Sequence, residues 1–176
     1  MPQNDVLKML LDNEERLKQT ETRETPGNIT GFTAFYTSGI WTPTFVGLTI
    51  AGTFTYGATT AGDYTRIGNT VFLRGRIALT AVAVAPTGVL TIQGLPITPA
   101  TVTSGVAGIM TPGYWSLIGI GGGAKVYLGG WIQSAATNRI DLVVSASGGT
   151  GAVFLTGAVA ALANGSDILF SGQYQV

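Results

Sequence analysis

Three aspartates, Asp63, Asp141 and Asp167, supply every side-chain carboxylate after residue 25, because that long segment contains no glutamate. Hydrolysis of a glycosidic bond needs two carboxylates held about 5–9.5 Å apart, so an enzyme reading would have to use these three. Their surroundings argue otherwise. Asp63 lies by a hairpin, Asp141 alternates with apolar core residues, and Asp167 starts a strand after Asn164-Gly165. Each reads as a turn residue or an arginine partner. The chain has no His and no Cys, which removes the usual zinc ligands and nucleophile–base pairs. No catalytic, metal or cofactor-binding residue is assigned, and the chain reads as a non-enzyme without a cofactor.

Two glycine clusters invite a phosphate-loop reading and fail it. Gly119–Gly123 runs into Ala124-Lys125 without the required spacing or the Ser or Thr that would hold magnesium. The residues that follow alternate as a strand. Ser147–Ala152 fails for the same reasons, so both are glycine-rich connections. Arg74 and Arg76 admit two readings: a cationic patch for an anionic sugar or phosphate, or structural cations that pair across subunits or stack on Phe72, Tyr64 or Trp131. After residue 25, five bases face three side-chain acids and the Val176 carboxylate. At least one base must therefore use carbonyls, aromatic faces or another chain. The structural reading is the stronger. Sugar faces stack on Trp and Tyr, and Tyr114 and Trp115, after the Pro112-Gly113 turn signal, are the candidate contacts for such a ligand.

The elements that position these residues are strands. In Asp63–Ile77 a Gly68-Asn69 turn separates two runs rich in β-branched and aromatic residues, which predicts a hairpin. After it Val71, Leu73, Gly75, Ile77 and Leu79 share one face, and Phe72, Arg74, Arg76, Ala78 and Thr80 the other. In 125–133, Val126, Leu128 and Ile132 are expected inward, and Lys125, Tyr127, Trp131 and Gln133 outward. Ile140, Leu142, Val144 and Ala146 are expected inward against Arg139, Asp141, Val143 and Ser145. Strands are expected over 46–56, 62–67, 70–82, 88–93, 104–110, 114–119, 124–132, 139–146, 151–155 and 166–175. Segment 157–165 stays open between a short helix and a loop. The spacing of turn signals points to a mainly β chain built as an antiparallel sandwich or barrel, and no internal repeat suggests a solenoid.

Four stretches carry a family resemblance: YTRIGNTVFLRGRI at 64–77, GIWTPTF at Gly39–Phe45, LTIQGLP at Leu90–Pro96 and SDILFSGQYQV at Ser166–Val176. In this order they resemble the short tail-fibre and other virion-fibre proteins of bacteriophages. The resemblance implies a homotrimeric fibre or receptor-binding module with a jelly-roll-like β-sandwich head, placed in the virion and contacting the host cell surface, with a glycan as the expected partner. The alternative is a capsid decoration or head-fibre protein with a structural or weakly adhesive role.

Three regions are expected. Residues 1–25 read as a helix with Asn4 as N-cap and Asp5 in the first turn. Val6, Leu10, Asn13 and Leu17 recur at coiled-coil spacing and form the candidate trimer seam. This end is the expected anchor to other virion proteins. Residues 26–45 read as an extended, aromatic neck after the Pro26-Gly27 stop, and residues 46–176 as the head. Charge divides the chain in the same way. Of its eighteen charged residues, ten fall in 1–25 and eight in 26–176, so much of the head surface is expected to be hidden by association. Zero net charge gives no footprint for nucleic acid. No stretch approaches the length of a membrane span, and no signal peptide is recognisable, as expected of a virion protein made in the host cytoplasm.

Overall fold

The computed structural model describes residues 35–120, 125–134, 137–146, 151–156 and 160–176. The helix expected over 1–25, with the seam of Val6, Leu10, Asn13 and Leu17, lies outside the described residues, as do most of the two glycine clusters. The elements are strands β1 (Tyr36–Trp41), β2 (Thr44–Gly47), β3 (Thr53–Tyr56), β4 (Ala61–Ile67), β5 (Thr70–Val84), β6 (Leu90–Gln93), β7 (Val106–Ile120), β8 (Lys125–Gln133), β9 (Arg139–Ala146), β10 (Ala152–Phe154) and β11 (Ala160–Gln175).

They form one hydrogen-bonded path, β1-β4-β5-β11-β7-β8-β9-β6-β2, with β3 attached to β5 and β10 to β9. From β4 to β2 every pair is antiparallel. Mainly β and antiparallel is therefore as expected. The two-sheet sandwich is not: the chain makes a single sheet curled into a half-barrel. Two long strands impose the curl by changing neighbours along their length. The first half of β5 pairs with β4 and its far end with β3. Likewise β9 pairs first with β6 and then with β10. The rings of Phe45, Phe54 and Tyr56 then bring β2 against β3, with centroids 6.3 and 6.2 Å apart. The Tyr56 hydroxyl accepts the Phe45 N–H at 3.0 Å.

The core fills the inner side. Val71, Leu73, Ile77 and Leu79 of β5 are buried there, as the alternation predicts, beside Ile168, Phe170 and Tyr174 of β11. Trp41 joins them from β1, donating its indole N–H to the Arg74 carbonyl at 3.1 Å. Each side chain so enclosed contributes roughly 1.5–3 kcal/mol relative to exposure.

Four local expectations need correction. Pro112-Gly113 does not turn the chain; β7 runs through it, and Gly113 is the extra residue of a bulge between the Phe170–Pro112 and Leu169–Tyr114 pairs. A bulge is where a strand tolerates the missing proline N–H. The 46–56 segment divides into β2 and β3 around Gly52, whose φ is 86°. The segment left open at 157–165 is strand from Ala160 onward. Asp141 and Val143, expected on the outward face, are both buried. Val143 is flanked by Gly129 of β8 and Phe154 of β10, and Asp141 by Trp131.

Candidate functional site

All three aspartates are held by arginines. Asp63 stands directly opposite Arg74 on β4 and β5, and its Oδ1 accepts from Arg74 Nε at 3.0 Å. This pair is open to solvent, with 76% of the arginine side chain exposed. Arg76 makes a two-pronged pair with Asp167 of β11, Nε to Oδ1 at 3.1 Å and a second N–H to Oδ2 at 2.6 Å. The hydrogen bonds and charge of Asp167 raise the Arg76 pKa further above its ordinary value. The third pair, Arg139 with Asp141 at 2.6 Å, lies within β9. Arg66 donates to the Gly68 carbonyl at 2.8 Å, so one base does use a carbonyl. Arg74 and Arg76 both pair with aspartates of their own chain.

The geometry bears on the hydrolase reading. Asp63 and Asp167 lie on the same outer face, on either side of β5, and their register positions differ by four residues, Arg74 against Ala78. That separates their backbones by about 10 Å across the strands and about 13 Å along them, too far for a glycosidase pair. Among the described residues no three metal-ligating side chains cluster, and no helix is long and apolar enough to cross a membrane.

The outer face of β4, β5, β11 and β7 is the most distinctive surface. Its side chains stand in rows set by the register: Thr65, Phe72, Gln173, Ile109; then Asp63, Arg74, Ser171, Thr111; then Ala61, Arg76, Leu169, Tyr114. Ile67, Phe72, Ile109, Tyr114 and Leu169 are each between 40 and 56% exposed. Because Ser171 is short between taller neighbours, the face is furrowed along β11. Three depressions of about 430, 350 and 390 Å³ follow one another there. The first two share Arg74 and Ser171, and the last two Phe72, Ile109 and Gln173.

Strand alternation separates the two candidate receptor residues. Tyr114 stands exposed on this outer face, whereas Trp115 points inward and packs against the core. They do not form one stacking platform. A different aromatic group lies on the outer side of β8–β10. Trp131 meets Phe154 edge-on with centroids 5.5 Å apart. Gly129 leaves room for the Tyr127 ring, which lies across its backbone, and Tyr127 and Phe154 are both exposed. Tyr127 and Trp131 were legible as outward residues. Phe154 was not, because β10 is only three residues long and shows no period.

A curled, mainly β antiparallel sheet with paired acids and an apolar outer face defines the class to which the chain can be compared. No family model matches the chain, and no curated protein matches it. Among solved structures its fold is similar to that of the Dettilon tailspike protein (gp208), with a TM-score of 0.60 and 15% identity. The match covers 80% of this chain and 24% of that one, so the chain spans about a quarter of the tailspike's length.

Proposed function

We propose that the chain is a bacteriophage virion fibre protein: a homotrimer, fixed to other virion proteins by residues 1–25, whose head contacts the host cell surface. The observation that carries this reading is the likeness in fold to a tailspike protein over 80% of the chain. It is supported by the four fibre-like sequence stretches and by the apolar outer face of the head. Contact is to a glycan, through exposed aromatic side chains of the head such as Tyr127 and Phe154, whose rings suit the C–H faces of sugars. The binding uses no metal and no turnover.

Electron microscopy of intact particles, with the protein labelled, tests the location. Label on the tail is expected. Label on the capsid would favour a decoration or head-fibre role, and none on the particle would overturn both. Deleting residues 1–25 tests the anchor. The truncated protein is expected to remain folded and trimeric while losing attachment to the particle, because three apolar seam residues in so short a helix bury too little to hold a trimer. Truncated protein that still decorated the particle would refute the anchor. Incubation with host polysaccharide, followed by mass analysis, is expected to leave its chain length unchanged.

A further inference from the structure

We propose that the outer face of β4, β5, β11 and β7 is the surface by which one head packs against a second copy of the same chain. The inference rests on the trimeric reading above and assigns it a face. Five large apolar side chains, Ile67, Phe72, Ile109, Tyr114 and Leu169, stand half-exposed on four adjacent strands. They fall in two clusters, Ile67 with Phe72 and Ile109, and Leu169 with Tyr114, on either side of the row Asp63, Arg74, Ser171 and Thr111, and apolar residues with few free charges are the mark of an interface centre.

Charge identifies the occupant. The face contains two arginines, yet each is matched by an aspartate of its own chain, Arg74 by Asp63 and Arg76 by Asp167. Removing water from it therefore strands no unpaired ion, the usual cost of burying charge. It also offers no net charge, so an acidic or basic partner finds nothing to pair with. A partner equally poor in charge fits, and the head is one: only eight charged residues occur in 26–176, six of them in the three Asp–Arg pairs. Shape agrees with charge. The middle depression along β11 is lined by Ser171 and Gly172 and bordered by Phe72 and Ile109. The face thus provides both the sockets and the large side chains with which neighbouring subunits around a threefold axis would interlock. Tyr114 then faces the neighbouring subunit, and the Tyr127–Trp131–Phe154 group is left for the cell surface.

Light scattering on the full chain tests the assignment with Phe72→Lys and Ile109→Lys on the face and Tyr127→Lys as a control away from it. Wild type and Tyr127→Lys are expected to be trimers. Each face variant is expected to weaken self-association at least roughly tenfold while keeping the wild-type circular dichroism spectrum. Face variants as trimeric as wild type would overturn the assignment and leave the trimer standing. A monomeric wild type would overturn the trimeric reading as well. If the lysines prevent folding, oxidative footprinting of the wild type decides: Tyr114 is expected to be protected and Tyr127 to react, and equal reactivity overturns the proposal.

Discussion

Gly75 of β5 lies directly opposite Phe170 of β11, and the phenyl ring occupies the place where a Gly75 side chain would be. A Cβ there would fall 2.5 Å from Phe170 Cζ. The ring has no free direction of retreat, because Trp41 meets it edge-on at 6.1 Å and is itself tied to the Arg74 carbonyl. Gly75→Ala is therefore expected to destabilise the fold by roughly 1–3 kcal/mol, the usual range for overpacking. Combining it with Phe170→Leu should cost less than the two single changes added together. Strict additivity in urea melts would show that the two residues do not compete for space.

The three ion pairs predict a graded response. Asp141 is only 2% exposed, so Asp141→Ala leaves the Arg139 guanidinium without its carboxylate and should cost on the order of 3 kcal/mol. Asp167→Ala should lower the melting temperature less. Asp63→Ala, at the open Arg74 pair, should leave it nearly unchanged. An equal loss at Asp63 and Asp141 would contradict the ranking.

Stability should fall at high pH through Tyr174. Its hydroxyl donates to the Ile97 carbonyl at 2.8 Å, and burial pushes its pKa up to about 12 from 10.0. The folded pKa is thus the higher one, and the fold favours the protonated phenol. This contribution is complete below pH 10 and is lost as pH rises through 12, on the order of 2–3 kcal/mol in all. Tyr56, also raised by burial, acts in the same direction. In Tyr174→Phe the decline between pH 10 and 12 should flatten, and an unchanged slope would assign it to other groups.

Glycan contact through β8–β10 predicts that Tyr127→Ala and Phe154→Ala each weaken binding to host cells roughly tenfold. The oligomer should be unaffected, and chelator should change nothing. Unaltered adsorption of both variants would move the contact elsewhere on the head.

Alternation made the inner faces of β5, β8 and β9 readable, because a period of two directly reports which side is wet. It could not report what covers the other side. Asp141 and Val143 are outward by period and buried in fact, since Trp131 of β8 stands beside the one and Phe154 of β10 beside the other. Pro112-Gly113 carries a strong turn signal, yet β11 continues to pair on both sides of it and converts the turn into a bulge. Counting five bases against three acids was enough to foresee that a base would turn to a carbonyl, as Arg66 does. It could not say that Arg76 would choose Asp167, ninety-one residues away, because that choice belongs to the register between β5 and β11.

The position of β11 also shapes how the molecule is made. It is an interior strand, pairing with β5 on one side and β7 on the other, yet it follows every other strand of the described residues. During synthesis the two halves of the sheet emerge first and carry unsatisfied edges on β5 and β7 until Ile168, Phe170 and Tyr174 have left the ribosome. Closure is thus a late event with long-range pairings, the slow kind. In that interval open β-edges of neighbouring nascent chains compete for one another. A pause in translation before Ala160 should therefore raise the aggregated fraction more than an equal pause before β5.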